Sequence, residues 1–152
     1  MSIETVRPRL KTIFEGVTGL TTVLTGVPRG SAAVNLPILL ILTGRMVRQR
    51  LDADTIIETR NYRLVLLVKA WAAGIDLEAE DLCEPFFTRI PAAIDPRPGL
   101  HTTTNADPLA TVQEARLTED SGIIGIEFGG KDYAGAEWIL EVDEYVMLSQ
   151  GS

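Results

Sequence analysis

The stretch GIEFGGKDYAGAEWILEVDEYVML, residues 125–148, admits two readings that lead to different proteins. Gly125, Gly130 and Lys131 have the spacing of a phosphate-binding loop. Such a loop needs backbone N–H groups turned onto phosphate, a Ser or Thr hydroxyl after the lysine for magnesium, and a helix that starts there. Here Asp132 follows Lys131, and its carboxylate repels phosphate. Ile126, Glu127 and Phe128 form a bulky alternating run between the glycines, which reads as strand. Beyond the lysine, Ala136, Trp138, Leu140, Val142, Val146 and Leu148 share one parity, with Glu137, Glu141 and Asp143 on the other. That is period two, so the spacing predicts strand, Gly-Gly turn, strand: a hairpin whose glycines supply positive φ.

Working outward, residues 55–71, TIIETRNYRLVLLVKAW, carry β-branched and aromatic residues across the positions Ile56 to Lys69. A strand of that length spans about 45 Å, more than twice the usual length. Its first half is polar, with Glu58, Arg60, Asn61 and Arg63, and Leu64 to Val68 is apolar on both parities. The expectation is a strand that begins outside the core of its own domain and ends inside it, with the projecting half open to a neighbouring subunit. Upstream, Leu36 to Leu42 is a continuous apolar run, the pattern of a strand buried on both faces. Between these two strands, TGRMVRQRLDAD places Arg45, Arg48 and Arg50 in a solvated basic loop that Arg29 can join.

Two amphipathic helices complete the elements. Ile3, Val6, Leu10, Ile13, Phe14 and Val17 recur at helical spacing and stop at Gly16 and Gly19, and a short strand is expected at 20–25. Asp76 is placed to cap a second helix with Glu78 and Glu80 in its first turn and Leu82, Phe86, Ile90 and Ile94 as its apolar stripe. A long proline- and threonine-rich loop follows at 95–108, then strands near 111–119 and 122–128. The order predicts a single α+β domain over 1–152: a mostly antiparallel sheet, two helices on one face, and a long projecting strand or hairpin.

The chain has 152 residues, 45% of them hydrophobic, enough for one domain with a real core. A net charge of −7 and a pI near 4.7 argue against a protein that grips a nucleic-acid backbone. Cys83 is the single cysteine, so no intrachain disulfide forms, and it reads as a small buried hydrophobe. LPILLILTG, the most apolar stretch, is too short for a membrane helix, and the N-terminus lacks the pattern of a signal peptide. A soluble protein made in the cytoplasm is expected.

Catalytic constellations are sparse. His101, the one histidine, lies in the long loop without a second His or a Cys beside it and reads as solvated. Asp52 and Asp54 lack the glycine and spaced ligands of a calcium loop. Glu119 and Asp120 precede Ser121 and Gly122, a turn composition. No catalytic residue, cofactor site or metal site is expected.

Taken in order, NLPILLILTG, ETRNYRLVLLVKAW, LEAEDLCEPFFTRI and GIIGIEFGGKDYAGAEWILEV resemble the tail terminator proteins of long-tailed, siphovirus-type bacteriophages. The shared pattern is a Leu-Pro opening the first buried strand, Thr-Arg-x-Tyr-Arg in the long strand, a glutamate-rich helix, and Gly-x-x-Tyr-x-Gly at the late hairpin. The resemblance implies a structural virion protein without enzymatic activity. It would form a homohexameric ring at the head-proximal end of the tail, assembled in the host cytoplasm. That ring would stop polymerisation of the tail tube protein and receive the head-tail connector, or stopper, protein. Genomic DNA would pass through its lumen unread, with no membrane involved. It places subunit or tube contacts at Arg45, Arg48 and Arg50, at Glu58, Arg60 and Arg63, and at Lys131, Asp132 and Tyr133. Another neck or connector protein of the same particle is the nearest alternative, and a nucleotide-binding enzyme a distant one.

Overall fold

The computed structural model describes residues 2–26, 36–71, 77–101 and 109–148. Asp76, Arg29 and the 102–108 part of the long loop lie outside these residues. The elements run α1 (Ser2–Glu15), β1 (Thr22–Leu24), β2 (Ile38–Arg50), β3 (Thr55–Ala70), α2 (Leu77–Ile94), β4 (Val112–Asp120), β5 (Ile124–Phe128) and β6 (Lys131–Met147). They form an α+β fold with one six-stranded sheet in the order β1-β2-β3-β6-β4, with β5 also paired to β6. Every pairing is antiparallel except β1 with β2.

The parity of the strands decides where the layers sit. Leu39, Ile41, Leu64, Leu66, Ala136, Trp138 and Leu140 pack on one face with the buried stripes of both helices, including Val6, Leu10 and Phe14 from α1. The opposite face holds a second, smaller cluster of Ile38, Leu40, Val65, Leu67 and Tyr133, extended by Leu24, Ile126 and Phe128. β2 is buried on both faces over Ile38–Ile41, as its unbroken apolar run requires. The 125–133 stretch is the expected hairpin: Phe128 pairs with Lys131, and Gly129 and Gly130 take φ of 62° and 80°.

Four expectations are corrected. First, β2 does not end at Leu42 in a basic loop; it continues to Arg50 through a bulge at Gly44 and Arg45 opposite Asn61. A Cβ on Gly44 would stand 2.7 Å from the Asn61 carbonyl oxygen, so the bulge needs glycine. Second, α2 buries Ala79, Cys83, Phe86, Ile90 and Ile94, whereas Leu82 is 37% exposed. A strict four-residue repeat drifts by about 40° per step on a 3.6-residue helix, which turns Leu82 off the buried stripe. Third, His101 is buried. The segment before it is drawn onto the domain, where the Leu100 carbonyl accepts from Arg9 Nη1 at 3.0 Å and the Pro98 carbonyl accepts from the Ala115 N–H at 2.9 Å. Fourth, Tyr133 is only 2% exposed and belongs to the second core cluster, so in this chain it fills the interior and is not a surface contact.

Gly135 marks the closest approach in the sheet. A Cβ there would lie 1.7 Å from the Leu66 carbonyl oxygen, opposite the bulge that leaves Val68 of β3 unpaired. Cys83 is buried as expected, and burial pushes its thiol up to about 11, which keeps it protonated and inert at neutral pH.

Candidate interaction surface

The three longest strands, β2, β3 and β6, lie side by side, and their burial changes along their length. From Leu64 to Val68 every residue of β3 is buried; from Thr55 to Asn61 only Ile56 is. Met46–Arg50 of β2 contains no buried residue at all. The paired distal ends carry exposed apolar side chains: Val47 at 53%, Leu51 at 48%, Tyr145 at 39% and Met147 at 69%. Register places Val47 beside Thr59 and Asp143, Tyr145 beside Ile57, and Met147 beside Thr55, all on the face away from the helices.

The bulge at Gly44 shifts β2 by one residue, so its side chains exchange faces there. Unbroken alternation from Ile41 would turn Arg48 and Arg50 away from the helices; the bulge brings both to the helix-side face. Arg48 lies on the helix-side face opposite Glu58, with Nε 3.1 Å from Glu58 Oε2. Arg60 lies on that face too and donates from Nη1 to the Gly44 carbonyl at 2.9 Å, tying the bulge in place. Arg50 donates from Nη1 to the carbonyls of Asp52 and Ala53, and Asp52 Oδ1 accepts from the Asp54 N–H at 2.8 Å. The two aspartates therefore serve the β2–β3 turn. Arg45, at the bulge, is exposed and has no partner among the described residues. Arg63 is on the opposite face, where Nε and Nη2 both stand 2.7 Å from Glu137 Oε1.

Lys131 and Asp132 are exposed beside the Gly129-Gly130 turn, at the other end of the sheet. Counting residues along β6 from Lys131 to Glu144, which pairs with Glu58, puts the two groups about 40 Å apart. The structure thus joins Arg45, Arg48, Arg50, Glu58 and Arg60 at the distal end, and leaves Lys131 and Asp132 remote from them.

Two features of the distal end had weak sequence signals. Arg116 of β4 donates to Asp143 Oδ2 and Glu141 Oε1, each at 2.7 Å, and Thr59 Oγ1 donates to the other Asp143 oxygen. Burial works to raise the Asp143 carboxyl, yet those hydrogen bonds and the guanidinium charge outweigh it and hold the group below the usual carboxylate range. Glu144 interrupts the parity of β6. It is buried on the helix-side face, accepts from Thr111 Oγ1 at 2.8 Å, and pairs directly across from Glu58. Together with Thr5, Val146 and Met147 these two glutamates line a cleft of about 440 Å³. Burial, and then the nearby Glu144 charge, push the Tyr62 hydroxyl up to about 12. Carboxylates at that spot suit a cation or an amine and disfavour a phosphate.

The phosphate-loop spacing has no site behind it. The Trp71 ring packs over Gly125, 2.9 Å from where a Cβ would sit, and Lys131 opens a strand and no helix. Among the described residues no group of three His, Cys, Asp or Glu side chains is placed to hold a metal ion, and no helix is long and apolar enough to cross a membrane. Compared with known proteins, the chain matches no family model and no curated sequence.

Proposed function

We propose that this chain is a structural virion protein, a tail terminator that caps the head-proximal end of a long phage tail as a homohexameric ring. The reading rests on the ordered sequence resemblance, and one structural observation carries it further. β2, β3 and β6 are long paired strands whose distal ends leave Arg45, Val47, Leu51, Tyr145 and Met147 exposed. In this proposal those ends project from the protomer and meet the last tail tube ring or the neighbouring subunit. The opposite, head-proximal surface receives the connector protein. The charge of −7 suits a ring through which DNA passes, since like charge discourages sticking. Six copies repeat each modest contact, so the isolated protein stays monomeric at micromolar concentration and closes into rings on the tube end.

Electron microscopy of particles from a strain lacking the gene tests this. A terminator leaves overlong tubes, whereas a connector leaves finished tails of normal length that fail to join heads. Detection of the protein along the tail shaft, away from its head-proximal end, would refute the proposal.

A further inference from the structure

The sheet has two unequal open edges. β1 covers β2 only from Ile38 to Leu40, so among the described residues Ile41–Arg50 has no strand on its outer side. At the other side of the sheet the outer edge of β4 is met at Ala115 by the Pro98 carbonyl. Because Ala115 directs its N–H away from β6, alternation directs the N–H and C=O of Leu117 outward as well, and Thr118–Asp120 are exposed. Each edge is therefore a row of backbone donors and acceptors that another strand can complete.

The two rows differ in charge. Ile41–Arg50 holds three arginines, Arg45, Arg48 and Arg50, and no acid; β4 holds Glu114, Glu119 and Asp120 against Arg116 alone. Pairing β2 with the β2 of a second copy sets arginines against arginines, and β4 with β4 sets acids against acids. Pairing β2 of one copy with β4 of the next sets a basic row against an acidic one; at equal height Arg45 would meet Arg116, and a stagger of about three residues, such as inclined strands give in a closed ring, brings Arg45 against Glu119. Direction agrees: β2, β3, β6 and β4 alternate across the sheet, so rotating a copy about an axis to which the strands are inclined brings its β4 antiparallel to the β2 beside it, with the stagger that the charges require.

We infer that copies of this chain associate head to tail through the basic outer edge of β2 and the acidic outer edge of β4, making one sheet continuous across subunits. A contact between two different surfaces closes into a ring or continues as a filament, which a two-fold contact cannot do. The inference rests on the ring reading above for its biological meaning, and names the surfaces of that ring.

Arg45 and Glu119 are exposed and have no partner among the described residues, so reversing either leaves the fold intact; thermal unfolding of each variant checks this. Sedimentation velocity over a wide concentration range at low salt reads the association. Wild type is expected to be monomeric at micromolar concentration and to associate as concentration rises toward millimolar, and less so in added salt. Arg45→Glu alone and Glu119→Arg alone are each expected to weaken association about tenfold or more. An equimolar mixture of the two variants is expected to recover it, because every contact in an alternating ring again joins opposite charges. Wild type that stays monomeric throughout, single variants that associate like wild type, or a mixture that stays dissociated would each overturn the inference. Tail length in the deletion strain is read separately, so normal-length tails with complementing variants would sink the terminator reading and leave the edge contact standing.

Discussion

The two halves of β3 belong to one strand and live in different surroundings. Leu64–Val68 is sandwiched between the helix layer and the second apolar cluster, whereas Thr55–Asn61 is half-buried except for Ile56, with Glu58 bordering an open cleft. The hydrogen-bonded ladder runs through both halves. Backbone pairing is thus shared, and the difference lies in what covers the faces. Hydrophobic burial grows with apolar area removed from water, so stability is concentrated in the inner half and the outer half is left for other work.

The comparison is most exposed to test at Gly135. An added methyl would stand 1.7 Å from the Leu66 carbonyl oxygen, and only backbone displacement in β3 or β6 relieves that. Gly135→Ala is expected to cost about 3 kcal/mol or more, at the upper end for overpacking. Leu66→Ala, in the same layer and fully buried, is expected to cost about 2 to 5 kcal/mol through lost transfer energy and the cavity left behind. Urea unfolding measures both. If either variant matches wild type, the inner half is not where stability resides.

At the boundary between the halves, Gly44→Ala brings a Cβ within 2.7 Å of the Asn61 carbonyl oxygen. The strand has freedom to shift on its open outer side, so the expected loss is smaller, about 1 to 2 kcal/mol. Loss of the bulge would also return Arg48 and Arg50 to the other face, breaking the Arg48–Glu58 pair.

How much of this was legible in the sequence follows from the same contrast. Inner strands announce themselves: the unbroken apolar run Leu36–Leu42, the alternation from Ala136 to Val142, and Gly129-Gly130 each encode one structural outcome. The outer half of β2 does not, because its residues are polar and a bulge reverses the parity midway, so Thr43–Arg50 reads as loop. Arg48 and Arg50 stand on the helix-side face for that reason, where unbroken alternation from Ile41 would turn them away from it. Glu144 could have been suspected from parity alone, since it occupies an inward position in β6. His101 could not, because nothing in a Pro- and Thr-rich stretch tells which residue is pulled onto the domain by contacts with Arg9 and Ala115.

Arg116 sharpens the contrast further, as the best-organised polar group of the outer half. Asp143 holds its carboxyl below the ordinary range in the folded chain, so its contribution is present above the unfolded carboxylate value near 4 and is lost as pH falls through the lower folded value. Arg116→Met removes the guanidinium, leaves Asp143 with Thr59 alone, and is expected to cost about 1 kcal/mol at neutral pH, modest because the arginine side chain is 35% exposed. The cost should shrink as acid protonates Asp143. A cost that is unchanged from neutral pH down through that range would mean that the pair is not the source of the effect.

The smallest effect is expected at the tip itself. Val47 and Met147 are 53% and 69% exposed, and both lie on the face that neither helix covers. A side chain already in water in the folded state has little transfer energy to lose, so Val47→Ser with Met147→Ser together should shift unfolding by no more than about 0.5 kcal/mol. Serine also has lower strand propensity than valine, and that term falls within the same range at a solvated position. A loss as large as that of Leu66→Ala would show that the outer half folds around an apolar core of its own, and the division between a stabilising half and a half left open for partners would fail. With stability unchanged, any defect of the double variant in assembly must be assigned to a contact with another chain, because no loss of fold is left to explain it.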